Sequence, residues 1–102
     1  MLDGTEREHL HMTREALRNA QERLGDALEK FDSGSYDDAL AAYVSANRWI
    51  GSALGNRDWL LESHQGQALD REIRKVVDKL DDLREDIEKV FYGGSPKLIR
   101  RR

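Results

Sequence analysis

The sequence predicts an all-α protein: a three-helix up-down-up bundle, built on a tight αα-hairpin and completed by a long C-terminal heptad helix. Three observations lead there. Apolar residues recur in alternating steps of three and four in three separate stretches. A turn signal, Asp32-Ser33-Gly34, divides the first stretch from the second. Charged residues make up 36% of the 102 residues and mean hydropathy is −0.79, as expected of helices with wide solvated faces. A chain of this size holds one small domain, here 1–92, followed by a flexible basic tail, 93–102.

The first helix is expected to start near Thr5, because Thr5 and Glu8 have the spacing of a capping box. Its seam reads Leu10, Thr13, Leu17, Ala20, Leu24, Ala27, Phe31, with large and small residues in alternation. Ser35 is placed to cap the second helix, and Asp37 and Asp38 favour the positive end of its dipole. The second seam, Tyr36, Ala39, Tyr43, Ala46, Ile50, Ala53, repeats the alternation. Two antiparallel helices patterned this way interlock, each bulky side chain filling the space over an alanine opposite. Leu28, Leu40 and Leu54 widen the stripe for a third element.

The third helix is the most regular. Leu69, Ile73, Val76, Leu80, Leu83, Ile87 and Val90 keep steps of four and three, flanked by Val77 and Phe91. Gly93-Gly94-Ser95-Pro96 ends it. Two starts compete: a long helix capped by Asn56 and running from Asp58 through Gly66, or a separate short turn in RDWLLESHQG. The long helix is the expectation. The second helix then spans roughly 30 Å and the third roughly 40–50 Å, so the third projects past the turn near Gly34. Its last heptad, with Ile87, Val90 and Phe91, is expected to be uncovered and to meet a second copy or a partner protein.

Composition excludes several function classes. There is no cysteine, which removes disulfides and thiolate metal sites. No apolar run is long enough for a membrane span, and MLDGTEREHL lacks the order of a secretory signal, so a cytoplasmic location is expected. Residues 1–92 carry 13 basic and 20 acidic groups, whereas Lys97, Arg100, Arg101 and Arg102 make the tail strongly basic. With Leu98 and Ile99, the tail reads as a docking peptide that orders on a partner. Weak, salt-sensitive contact with nucleic-acid phosphates is the other use of such charges.

Gly34-Ser35-Tyr36-Asp37-Asp38-Ala39-Leu40, with Ala42-Tyr43 and Ala46, resembles the turn and second helix of a tetratricopeptide repeat, and Leu24-Gly25 resembles the Leu-Gly pair of its first helix. One such motif implies a tight hairpin but not a solenoid, which needs stacked neighbours. The same stretch, with Trp49 after it, is similar to a family of small archaeal helical proteins and brings no activity with it. A third resemblance implies chemistry. HEPN-type ribonucleases are all-α and dimeric, and their motif is an Arg followed after a short gap by a His. Arg57-Asp58 with His64, six residues intervening, resembles that motif. The resemblance implies that Arg57 holds the scissile phosphate while His64 exchanges a proton.

Other candidates are weaker. His9 and His11 lie two apart and face different sides of a helix; His11 and Glu15 have metal-pair spacing, but two ligands are too few for a site. No phosphate loop or nucleophile elbow is present, so no cofactor or metal is expected. Trp49 and Val44, off the second seam, and Trp59 are expected to complete the core rather than bind a ligand, and Trp49, if exposed, would anchor an interface. The function expected overall is a small non-enzymatic interaction or assembly module that works through the end of the third helix, Trp49 and the basic tail.

Overall fold

In a computed structural model of the chain, the structure describes residues 4–60 and 63–92. It is an all-α bundle of three helices: α1 (Gly4–Asp32), α2 (Tyr36–Arg57) and α3 (His64–Tyr92), with a 3-10 turn (Asp58–Leu60) between α2 and α3. The bundle is a rod of 52 × 27 × 19 Å. α1 and α2 pack against each other most closely, and α3 lies more loosely against both.

The hairpin follows from its turn. Gly34 adopts φ +84°, a left-handed conformation that glycine enters without a Cβ clash. The Gly34 N–H donates to the Phe31 carbonyl (3.1 Å) and the Ser35 N–H to the Lys30 carbonyl (2.9 Å), which satisfies the last carbonyls of α1. Ser35 occupies the N-cap position of α2, but its side chain makes no capping bond. At the other end, α1 already runs at Gly4, so Thr5 is a first-turn residue rather than the cap.

The seams lie where their periodicity places them. Leu10, Leu17, Ala20, Leu24 and Ala27 of α1 are buried, as are Ala39, Ala46, Ile50 and Ala53 of α2. Thr13 is fully buried in the same stripe, its hydroxyl donating to the His9 carbonyl at 2.6 Å and so leaving no unpaired polar atom. Ile73, Val76, Leu80, Leu83 and Ile87 of α3 close the core, with Leu54 packed at its edge. Leu28 and Leu40 depart from expectation: both are exposed, Leu28 beside an open groove between α1 and α3.

An ion pair joins the end of α2 to the start of α3, and further along α2 a tyrosine lies within electrostatic reach of α3. Arg57 pairs with Asp70, and Tyr43 lies among Asp81, Arg84 and Glu88, where partial burial pushes its phenol up. The expectation of an uncovered last heptad is corrected at one position: α3 starts at His64 rather than Asp58, and Ile87 is only 4% exposed. Val90 and Phe91, each 40% exposed, are the part of that heptad left open.

The expected long third helix is likewise replaced by its alternative. Asn56 lies inside α2, and its amide donates to the Ser52 carbonyl instead of capping a new helix. Ser63 is the cap: its Oγ accepts from the Gly66 N–H at 2.9 Å and donates to the Leu60 carbonyl at 2.9 Å. The chain folds back so tightly that a Cβ on Gly66 would sit 1.8 Å from the Leu60 carbonyl oxygen. Leu60 itself is buried, and that geometry admits only glycine at 66. Gly66→Ala is therefore expected to cost about 2–3 kcal/mol and to lower Tm by roughly 10–20 °C in a thermal melt. An unchanged Tm would mean that the α2–α3 connection does not close in this way.

Candidate functional site

The α2–α3 connection gathers the chemistry-bearing side chains of the chain at one end of the rod. α1 contributes His9, the end of α2 contributes Asn56 and Arg57, the 3-10 turn contributes Asp58 and Trp59, and the first turns of α3 contribute His64 and Asp70.

His9 and Trp59 stack with ring centroids 4.7 Å apart and planes 5° from parallel. His9 Nδ1 is 3.0 Å from Asn56 Oδ1. Because Asn56 Nδ2 is committed to the Ser52 carbonyl at 2.9 Å, Oδ1 is the atom turned to His9, and the imidazole is the donor. One face of the indole is thereby covered, yet Trp59 remains 63% exposed. The arrangement fastens the start of α1 to the turn after α2 with one stack and one hydrogen bond, and Trp59 does not enter the core.

Arg57 bridges two carboxylates. Its Nη1 donates to Asp70 Oδ1 and its Nη2 to Asp58 Oδ1 at 3.0 Å, while Arg74 Nε donates to Asp70 Oδ2 at 2.8 Å. The Asp70 hydrogen bond, and then that of Asp58, hold the Arg57 guanidinium above its ordinary range, and the Arg57 hydrogen bond holds the Asp70 carboxyl below its own. The Arg57 and Asp70 side chains are mostly buried, so the pair is more than a screened surface contact.

This arrangement bears on the ribonuclease-like pair. Arg57 is the last residue of α2 and His64 the first of α3, exposed and on the far side of the 3-10 turn. Asp58 and Asp70 flank the guanidinium, so a phosphate approaching Arg57 meets two carboxylates already in place. Arg57 serves here as the tie between α2 and α3.

The proposed partner-binding residues fall into separate places. Val90 and Phe91 lie at the opposite end of the rod, near the α1–α2 turn, where Phe31 and Tyr36 meet edge-on at 5.2 Å. Ile87 belongs to the core. Trp49, 39% exposed, lies about 20 Å along α2 from Tyr36 and is not part of that group. Lys97, Leu98, Ile99, Arg100, Arg101 and Arg102 lie outside the described residues. His11 and Glu15 approach to 3.6 Å on the exposed face of α1. Among the described residues no three His, Asp or Glu side chains converge as a metal site, and no described helix is long and apolar enough to cross a membrane. The His9–Asn56 contact, spanning 47 residues, has no local sequence signal.

Asp70 gives this end of the rod an acid-sensitive stability. A carboxyl held below its ordinary value of 3.8 stabilises the fold above that value and loses the contribution as pH falls through the depressed one. Asp70→Asn is expected to be less stable than the wild type at neutral pH and to lose less on acidification, as read from urea midpoints along a pH series. Parallel curves for the two proteins would contradict this assignment.

Compared with protein-family models, with curated proteins and with solved structures, the chain matches none, so the functional reading rests on the geometry.

Proposed function

We propose that this chain is a non-enzymatic helical interaction module, with the turn end of the rod as its working surface and a second copy of the chain as the partner that covers it. One observation carries the reading: Tyr36 and Leu40 in the first turns of α2 and Val90 and Phe91 in the last turn of α3 are all exposed. Apolar side chains left open in a group, on a chain otherwise rich in charge, are what an interface uses.

The aromatic members favour this end as an anchor, because Phe and Tyr bury large areas at small conformational cost. The hairpin beneath them is the most closely packed part of the molecule, which suits a surface that must keep its shape. The basic tail follows Phe91 and Tyr92 in sequence, and its four cationic side chains would steer the chain towards acidic surface. Residues 1–92 are acidic overall and supply such a surface on a second copy.

Sedimentation across a range of protein concentrations tests the proposal. The wild type is expected to associate, Phe91→Asp to weaken association by roughly 10-fold or more, and deletion of 95–102 to weaken it in a salt-dependent way. A wild type that stays monomeric at every concentration, or association indifferent to Phe91→Asp, would refute it.

A further inference from the structure

The looser packing of α3 leaves an open groove between α1 and α3, on a flank separate from the turn end. Leu24 and Val76 form its floor, and Gln21, Gly25 and Leu28 line the α1 side. Lys75 and Lys79 line the α3 side. Three features of this groove have no use within the chain itself. Leu28 is 41% exposed although it continues the apolar floor. Gly25 sits inside a helix, where glycine is unfavourable, yet a Cβ there would meet nothing within 4 Å. The rim is cationic in a body that is acidic overall.

The charge follows the helix periodicity. On α1, Arg14, Arg18, Gln21, Gly25 and Leu28 recur in steps of four and three, a single stripe leading into the groove. On α3, Lys75 and Lys79 continue the stripe begun by Glu72. Glu72 is the one carboxylate in the lining, and Lys75 already holds it at 3.1 Å. Arg14 and Lys79 form no ion pair among the described residues, and Arg18 reaches only Glu15, at 3.9 Å. Beyond Lys79 the α3 stripe turns acidic at Asp82 and Asp86, so the cationic stretch has a defined end.

We propose that the groove between α1 and α3 seats an acidic amphipathic helix of a partner protein, which completes a four-helix arrangement. The partner's apolar edge lies over Leu28 and approaches closely at Gly25, where the missing side chain lets two helix backbones come together. Its flanking carboxylates meet Arg14, Arg18, Lys75 and Lys79. Helix-in-groove recognition needs this combination of an apolar floor at helical spacing and a rim of one sign. This surface is independent of the turn end and of the basic tail.

The probe is a roughly four-turn labelled helical peptide with leucines at helical spacing and glutamates on both flanks, compared with the same peptide carrying lysines for glutamates. Fluorescence anisotropy should show saturable binding of the glutamate peptide only. Lys75→Glu with Lys79→Glu should weaken that binding about 10-fold and let the lysine peptide bind instead. Gly25→Leu, whose side chain enters open space, should block binding while circular dichroism shows an intact helical fold. Phe91→Asp should leave peptide binding unchanged, which separates this result from the fate of the turn-end proposal. No saturable binding, equal binding of the two peptides, or binding indifferent to the lysine reversals would overturn the proposal. So would self-association of the protein alone that Gly25→Leu abolishes, because the occupant would then be a second copy.

Discussion

The close approach of α1 and α2 is the constraint on which the remaining structure depends. Ala20, Ala27, Ala39, Ala46 and Ala53 are all fully buried, and only side chains this small let two helices lie near enough for Leu17, Leu24 and Ile50 to fill the spaces between them. A larger residue at any of these alanines would have to displace a neighbouring helix, because a core at this density has no room to take up the extra volume. The Gly34 turn fixes the register in which large meets small, since its left-handed geometry leaves no slack between the last carbonyl of α1 and the first turn of α2.

α3 is held by different means. It shares the core through Ile73, Val76, Leu80, Leu83 and Ile87, but its seam is made of large residues, which keep it further from its neighbours. Its position along the rod is set at the connection, where the Ser63 cap, the close contact at Gly66 and the Arg57–Asp70 pair act together. The side chains with the most chemical potential, Arg57 and His9, are consumed in fastening helices to each other. The surfaces left for function are therefore the ones that packing leaves open: the turn end and the α1–α3 groove.

Much of this fold is legible in the sequence because heptad spacing is a local signal. The seams from Leu10 to Phe31 and from Leu69 to Leu83, and the stop at Gly34, follow from residue type and spacing alone. What spacing does not reveal is which helix covers which flank. Leu28 and Leu40 have the right period for burial, yet both are exposed, Leu28 on the edge of an open groove beside α3. Ile87 is covered by the core that the three helices share, which its position in the last heptad does not reveal. Asn56 is a favoured capping residue, yet its partner is His9, near the other end of the chain, and no window of neighbouring residues contains both. The ribonuclease-like pair is visible as a spacing, whereas the two carboxylates that occupy Arg57 become apparent only in three dimensions.

A rigid hairpin carrying a more loosely held third helix is the account's central claim, and it has consequences for both surfaces. The turn end keeps its shape because α1 and α2 are locked together, while the groove can adjust because α3 has some freedom to move against α1. Native-state hydrogen exchange of backbone amides measures this directly. The strongest protection is expected at the buried seam positions of α1 and α2, with α3 opening at lower free energy and before the hairpin does. Protection in α3 equal to or greater than that of the hairpin would contradict it.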